Sequence, residues 1–132
     1  MTNIVTGRVH HFKLTVSDQN RARDFYSGVL NFKVLADYGT TYLLSNGSVN
    51  LAVGLAPDPS RASVGDRFDE NRVGLDHICL TVPALADLEA AVKMFDERGI
   101  SHGEIEDAGG TGYLLTFRDP DNIQVELGAP KV

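Results

Sequence analysis

His11-Phe12-Lys13-Leu14-Thr15-Val16 and, in the second half of the chain, His77-Ile78-Cys79-Leu80-Thr81-Val82 agree at four of six positions. Both stretches alternate apolar and polar side chains with period two, the signature of a half-buried strand. A helix-period segment follows each. The first runs from about Asp18 to Leu30, with Asp18 as N-cap and Ala22, Phe25 and Val29 on one face. The second runs from about Ala84 to Arg98, with Leu85, Leu88, Val92 and Phe95 at helical spacing and Gly99 where a C-terminal cap belongs. Short strand-like runs come next: Lys33–Ala36, Thr41–Leu44 and Val49–Leu55 in the first half, and Ser101–Ile105, Tyr113–Arg118 and Ile123–Leu127 in the second. Each half therefore reads βαβββ, an internal repeat. The class is α+β.

Between the halves, at 57–73, the sequence turns to Pro, Ser, Asp and Arg, with Phe68 as its one large aromatic side chain. That composition predicts a linker or mobile loop. It separates a module at 8–56 from one at 74–129, and a unit of this size needs a second one to complete a core.

Composition narrows the function classes. A chain of 132 residues with 42% hydrophobic content fits one globular domain built of two halves. No apolar run reaches the roughly 18 residues of a membrane span, and no signal-peptide core is visible near the N-terminus. The single cysteine, Cys79, excludes an internal disulfide framework and suits a reducing, cytoplasmic setting. A net charge of −6 argues against nucleic acid as partner.

Strand parity then gathers the chemistry. Phe12, Leu14 and Val16 form one face of the first strand, so His11, Lys13 and Thr15 take the other. By the same rule His77, Cys79 and Thr81 oppose Ile78, Leu80 and Val82, and Gln124 and Glu126 oppose Ile123, Val125 and Leu127. If the helices cover the apolar faces, two histidines and a carboxylate share the helix-free side. Two neutral imidazoles and one carboxylate suit a first-row divalent ion, leaving positions for water or substrate. Gln124 or a backbone carbonyl is available to orient an imidazole. The bland alternative is a surface or core role for each histidine separately.

Three segments resemble a known family. His11-Phe-Lys-Leu-Thr-Val-Ser-Asp, with Arg23-Asp-Phe-Tyr26 and Val29-Leu-Asn-Phe32 after it, is similar to the opening module of glyoxalase, bleomycin-resistance and extradiol-dioxygenase proteins, the vicinal oxygen chelate superfamily. Leu75-Asp-His-Ile-Cys-Leu-Thr-Val82 resembles the start of its second module, and Phe117-Arg-Asp-Pro-Asp-Asn-Ile-Gln-Val-Glu-Leu127 its closing turn and strand. The resemblance implies two βαβββ modules whose mixed sheets curl into a cup with helices outside. It also implies one divalent metal (Fe, Mn, Zn, Ni or Co) on His11, His77 and Glu126, a small substrate chelated through oxygens, and often a homodimer with the cup within or between chains. Where relatives carry a fourth ligand, internal alignment places Ala52, which cannot bind a metal. That departure favours three-ligand branches, such as extradiol dioxygenases and fosfomycin-resistance thiol transferases, over glyoxalase I chemistry. The potassium-binding loop of the thiol transferases is not evident around Gly109 to Phe117. A non-enzymatic drug-binding role is the remaining alternative.

Other residues have weaker claims. Lys13, Cys79 and Tyr113 are candidate substrate contacts, set against a snorkelling lysine, a small apolar lining group rather than a nucleophile, and a sheet filler. Tyr42 is placed as Tyr113 is. His102 suits a loop histidine, or an acid/base if it faces the cup. His10 has the wrong parity and reads as peripheral. Arg118-Asp119-Pro120-Asp121 is a turn first and a binding element second. Gly109-Gly110-Thr111-Gly112 precedes a strand and reads as a flexible hairpin.

Overall fold

The computed structural model describes residues 2–131. The chain divides into two compact units, Met1–Val64 and Gly65–Val132. The division falls inside the Pro-, Ser- and Asp-rich stretch.

In the first unit β1 (Phe12–Thr15) leads into α1 (Gln19–Leu30), then β2 (Lys33–Asp37), β3 (Thr41–Ser45) and β4 (Asn50–Gly54). In the second, β5 (Ile78–Thr81) leads into α2 (Leu85–Arg98), then β6 (Glu106–Asp107), β7 (Tyr113–Arg118) and β8 (Gln124–Ala129). The sheet orders are β1-β4-β3-β2 and β5-β8-β7-β6. In each, the first strand lies parallel to the last and the other pairings are antiparallel. The fold is α+β, two βαβββ modules. Among the described residues no helix is long and apolar enough to cross a membrane.

Local chemistry sets the helix ends. The Asp18 carboxylate accepts from the backbone N–H groups of Asn20 and Arg21, satisfying two donors that the helix leaves open. Asn31 ends α1 in the left-handed region at φ 59, and Gly99 ends α2 there at φ 68. The Asp87 carboxylate reaches back to the Ala84 N–H at 2.9 Å, one half of a capping box.

One face of each sheet is packed beneath its helix. Ala22 and Tyr26 of α1 are buried, and the Tyr26 ring meets Phe32 edge-on at 6.2 Å. Tyr26, not Phe25, is thus the deep aromatic of α1. In the second unit Leu88, Ala91 and Phe95 are buried, with Phe95 4.6 Å from Phe117. Full burial of side chains of this size stabilises by roughly 1.5–3 kcal/mol each.

One expectation is corrected. Residues 101–105 form no strand: His102 makes one bridge to Phe117, and the paired strand is the two-residue β6. Gly103 N–H donates to Thr116 O and Arg118 N–H to Ser101 O, so the backbone groups are satisfied by irregular pairing with β7. The stretch between the modules has local order of its own. Asp58 caps a 3-10 turn at Pro59–Arg61, and from Phe68 onward the chain is tied to the β7–β8 turn. Phe68 N–H donates to Asp121 O at 2.9 Å, and Asn122 Nδ2 donates to Phe68 O at 3.0 Å.

Candidate functional site

The register of the second unit fixes which side chains share its open face. Cys79 lies beside Glu126 across the parallel pair β5–β8, and Thr116 lies opposite Glu126 across β7–β8. Arg118 lies opposite Gln124. Since Val125, Leu127 and Phe117 are buried on the helix side, this second set points the other way.

His77 stands immediately before β5, and its two ring nitrogens have different partners. Nδ1 is 2.7 Å from Asp76 Oδ1, and Nε2 is 3.2 Å from Glu126 Oε1. Each ring nitrogen therefore faces a carboxylate oxygen, and an ionised carboxylate only accepts. The Thr116 hydroxyl donates to the other Glu126 oxygen at 3.2 Å. The Glu126 side chain is 16% exposed and that of His77 37%, so the pair is sheltered yet reachable.

Behind Asp76 runs a chain of polar contacts. Gln124 Nε2 donates to Asp76 Oδ1 at 2.6 Å, and Arg118 Nη2 donates to Gln124 Oε1 at 3.3 Å. The Arg118 guanidinium also grips Glu70 bidentately at 2.7 and 3.0 Å. That contact holds the Glu70 carboxyl down at about 2 and raises the guanidinium's own pKa. An open concavity of about 500 Å³, lined by Arg67, Phe68, Arg72, Arg118 and neighbouring loop residues, lies on the Glu70 side of this chain.

The remaining sequence candidates separate. Burial, and then the negative charge of Glu126, push the Cys79 thiol up, which favours a lining group over a nucleophile. A Cβ at Gly128 would lie 3.2 Å from the sulfur, so this glycine leaves room for it. Tyr113 pairs with Ala129 and has the parity of Leu115 and Phe117, putting its ring on the helix-bearing face with the Lys131 ammonium 5.4 Å from its centroid. Tyr42 likewise belongs to the helix side in the first unit, where its hydroxyl meets Arg23 and Asn20. His102 packs against Phe95 and bonds Asp96 at 2.6 Å, which raises its pKa. It serves the α2 side of its sheet.

In the first unit Lys13 is exposed and pairs with Ala52, which has Leu43 opposite. His11, just before β1, contacts His10, Nδ1 to Nδ1, at 2.9 Å. Among the described residues of either unit taken alone, no three histidine, cysteine or carboxylate side chains gather as metal ligands do.

Sequence reading missed Asp76, Thr116, Arg118 and Glu70 as members of the polar network. Asp76 adjoins a candidate ligand, and Thr116 has the open-face parity of its strand. Those two were recoverable. The contacts of Glu70 with Arg118 and of Asp76 with Gln124 each span 48 residues and leave no periodic trace.

The chain is similar to known proteins in sequence and fold. The profile described as Glyoxalase/Bleomycin resistance protein/Dioxygenase superfamily matches residues 8–127. The protein YwkD of Bacillus subtilis is 30% identical over 130 residues, covering 90% of this chain and 94% of that one. Catechol-2,3-dioxygenase of Bacillus subtilis is 26% identical over 123 residues, covering 93% of this chain but only 41% of that enzyme. A solved glyoxylase/bleomycin resistance protein/dioxygenase domain from Frankia sp. EAN1pec superposes with a TM-score of 0.79 at 26% identity, covering 96% and 94% of the two chains.

Proposed function

Because this chain belongs to the Glyoxalase/Bleomycin resistance protein/Dioxygenase superfamily, we propose that it is a divalent-metal-dependent enzyme acting on a small substrate bound through adjacent oxygens. His77 and Glu126 are the ligands from the second unit. His11, from this chain or from a second copy in a homodimer, is the third.

The observation that carries this reading is the contact between His77 Nε2 and Glu126 Oε1 at 3.2 Å. When the ring carries its one proton on Nδ1, toward Asp76, the Nε2 lone pair faces a carboxylate oxygen. Two acceptors face each other, and either a proton or a bound cation relieves them. The spacing suits a cation. Bonds of about 2.0–2.2 Å at tetrahedral to octahedral angles set neighbouring donors roughly 3.0–3.5 Å apart.

When bound, the metal supplies Lewis-acid polarisation of a chelated oxygen. The protein's own groups do the rest. Thr116 holds one Glu126 oxygen and leaves the other for the ion. Lys13 offers a cation to an anionic substrate, and Cys79 lines the face as a neutral thiol. Ala52 brings no fourth ligand, so chelation by two substrate oxygens has room. Among reactions open to such a site, extradiol-type oxygenation is favoured by the likeness to catechol-2,3-dioxygenase. The chain spans under half of that enzyme.

The test is elemental analysis of anaerobically purified protein beside its His77→Ala, Glu126→Ala and His11→Ala variants. Near-stoichiometric iron or manganese in the parent, lost in all three variants, is expected. Parent protein that neither holds a metal nor shifts its melting temperature with added iron, manganese, zinc, nickel or cobalt would sink the proposal.

A further inference from the structure

We propose that Glu70, Arg118, Gln124 and Asp76 form a positioning relay that fixes His77 in one tautomer and aims its Nε2 at Glu126. The inference deepens the reading above and rests on it for the role of the ligand pair. Its geometry stands independently.

The relay has an internal direction. Gln124 lies between a guanidinium, which only donates, and a carboxylate, which only accepts. Its amide must therefore present oxygen to Arg118 and nitrogen to Asp76, as it does. A flipped amide would set like groups against each other at both ends. Asp76 Oδ1 accepts from both Gln124 and His77, so its orientation is fixed from two sides. The Asp76 side chain is 57% exposed and packing does not hold it. These bonds do. At the far end, the fork of Arg118 on Glu70 adds the planar match of guanidinium to carboxylate and ties a loop residue to β7.

The first unit supplies a control. Its registers equate Asn50 with Gln124 and Ser45 with Arg118, and the residue before His11 is His10, not an aspartate. The relay is thus a property of the second unit, added on a scaffold that does not need it. An outer contact of this kind sets the ligand's basicity and direction, and its loss typically weakens metal binding by about 10–100-fold.

The experiment uses the full chain, uniformly 15N-labelled. Long-range proton–nitrogen spectra of the metal-free protein, taken where the ring is neutral, report the His77 tautomer. Titration with manganese(II) chloride reports affinity. The Nδ1–H form is expected in the parent. Asp76→Ala should shift His77 toward the Nε2–H form and weaken manganese(II) binding by about 10–100-fold. Gln124→Ala and Glu70→Gln should move both readouts in the same direction by smaller factors, and Asp76→Glu should restore part of the loss. An Nε2–H parent, or a tautomer indifferent to Asp76→Ala and Gln124→Ala, overturns the relay. A parent that binds no manganese(II) while Asp76→Ala still shifts the tautomer overturns the metal reading and upholds the relay. Thermal melts of each variant separate either result from unfolding.

Discussion

The two units share one scaffold and differ in what their open faces carry. Lys13 pairs with Ala52 as Cys79 pairs with Glu126, and Leu43 opposes Ala52 as Thr116 opposes Glu126. Through these strand pairs the register repeats. In the first unit the face holds Lys13, Leu43 and Ala52, with His10 and His11 just before β1. In the second it holds Asp76, His77, Cys79, Thr116 and Glu126, with Gln124 and Arg118 behind. Apart from β4, which is buried at both parities, burial falls mainly on the helix side of each sheet, and the other side is where the units diverge. The fold is therefore written in one parity of each strand and the chemistry in the other.

The comparison can be broken first at the cores. Tyr26→Ala and Phe95→Ala empty fully buried ring sites in equivalent helices, and each should cost about 3–5 kcal/mol in denaturant unfolding. If one were nearly neutral, the units would not be equivalent in how they are held together.

The next largest contrast concerns the open faces. Glu126→Ala should weaken manganese(II) binding by more than about 100-fold, beyond the loss typical of an outer contact. Ala52→Ser, at the matching position, should change it by less than about twofold on the same scale. Equal effects in calorimetric titration would place the ligand role elsewhere.

A third contrast is in acid sensitivity. The folded Glu70 carboxyl is held at about 2 against an ordinary 4.5. Its contribution to stability is complete above the ordinary value and disappears as pH falls through that window toward about 2. Ser45 stands where Arg118 does, so the first unit has no counterpart. Urea midpoints at about pH 6 and about pH 3 should differ less in Glu70→Gln than in the parent.

The smallest effect tests whether the first unit can be pushed toward the second. His10→Asp gives His11 a carboxylate where His77 has Asp76. The variant should set the His11 tautomer and raise manganese(II) affinity by no more than about threefold, because no amide–guanidinium pair stands behind it. A gain as large as the loss in Asp76→Ala would make the single carboxylate sufficient and the rest of the relay ornamental.

Much of this architecture is legible in the sequence, and the reason is local. Alternation around His11 and His77 and the helical spacing of Leu88 and Phe95 are written within a few residues of each other. So are the caps at Asp18 and Gly99. Parity also puts Glu126 on the face opposite Val125. What periodicity could not supply was the short β6, because Ser101–Ile105 has strand-like content but pairs irregularly. It also left open the side taken by Tyr113, which register sets beside Ala129. The contacts of Glu70 with Arg118 and of Asp76 with Gln124 lay beyond reach because they form only after the chain has folded back on itself.

The strand at the end of each sheet away from β1 or β5 has one further consequence. Val34 pairs with Leu44 and Ala36 with Leu43, so Leu35 is an extra, exposed residue that bends β2. Its counterpart β6 is only two residues long. A kinked ribbon and a stub both make poor templates for another chain to extend, so on those sides neither sheet offers a straight run of open amides and carbonyls to seed a fibril. At high concentration the protein should stay dispersed there, even with Leu35 facing water.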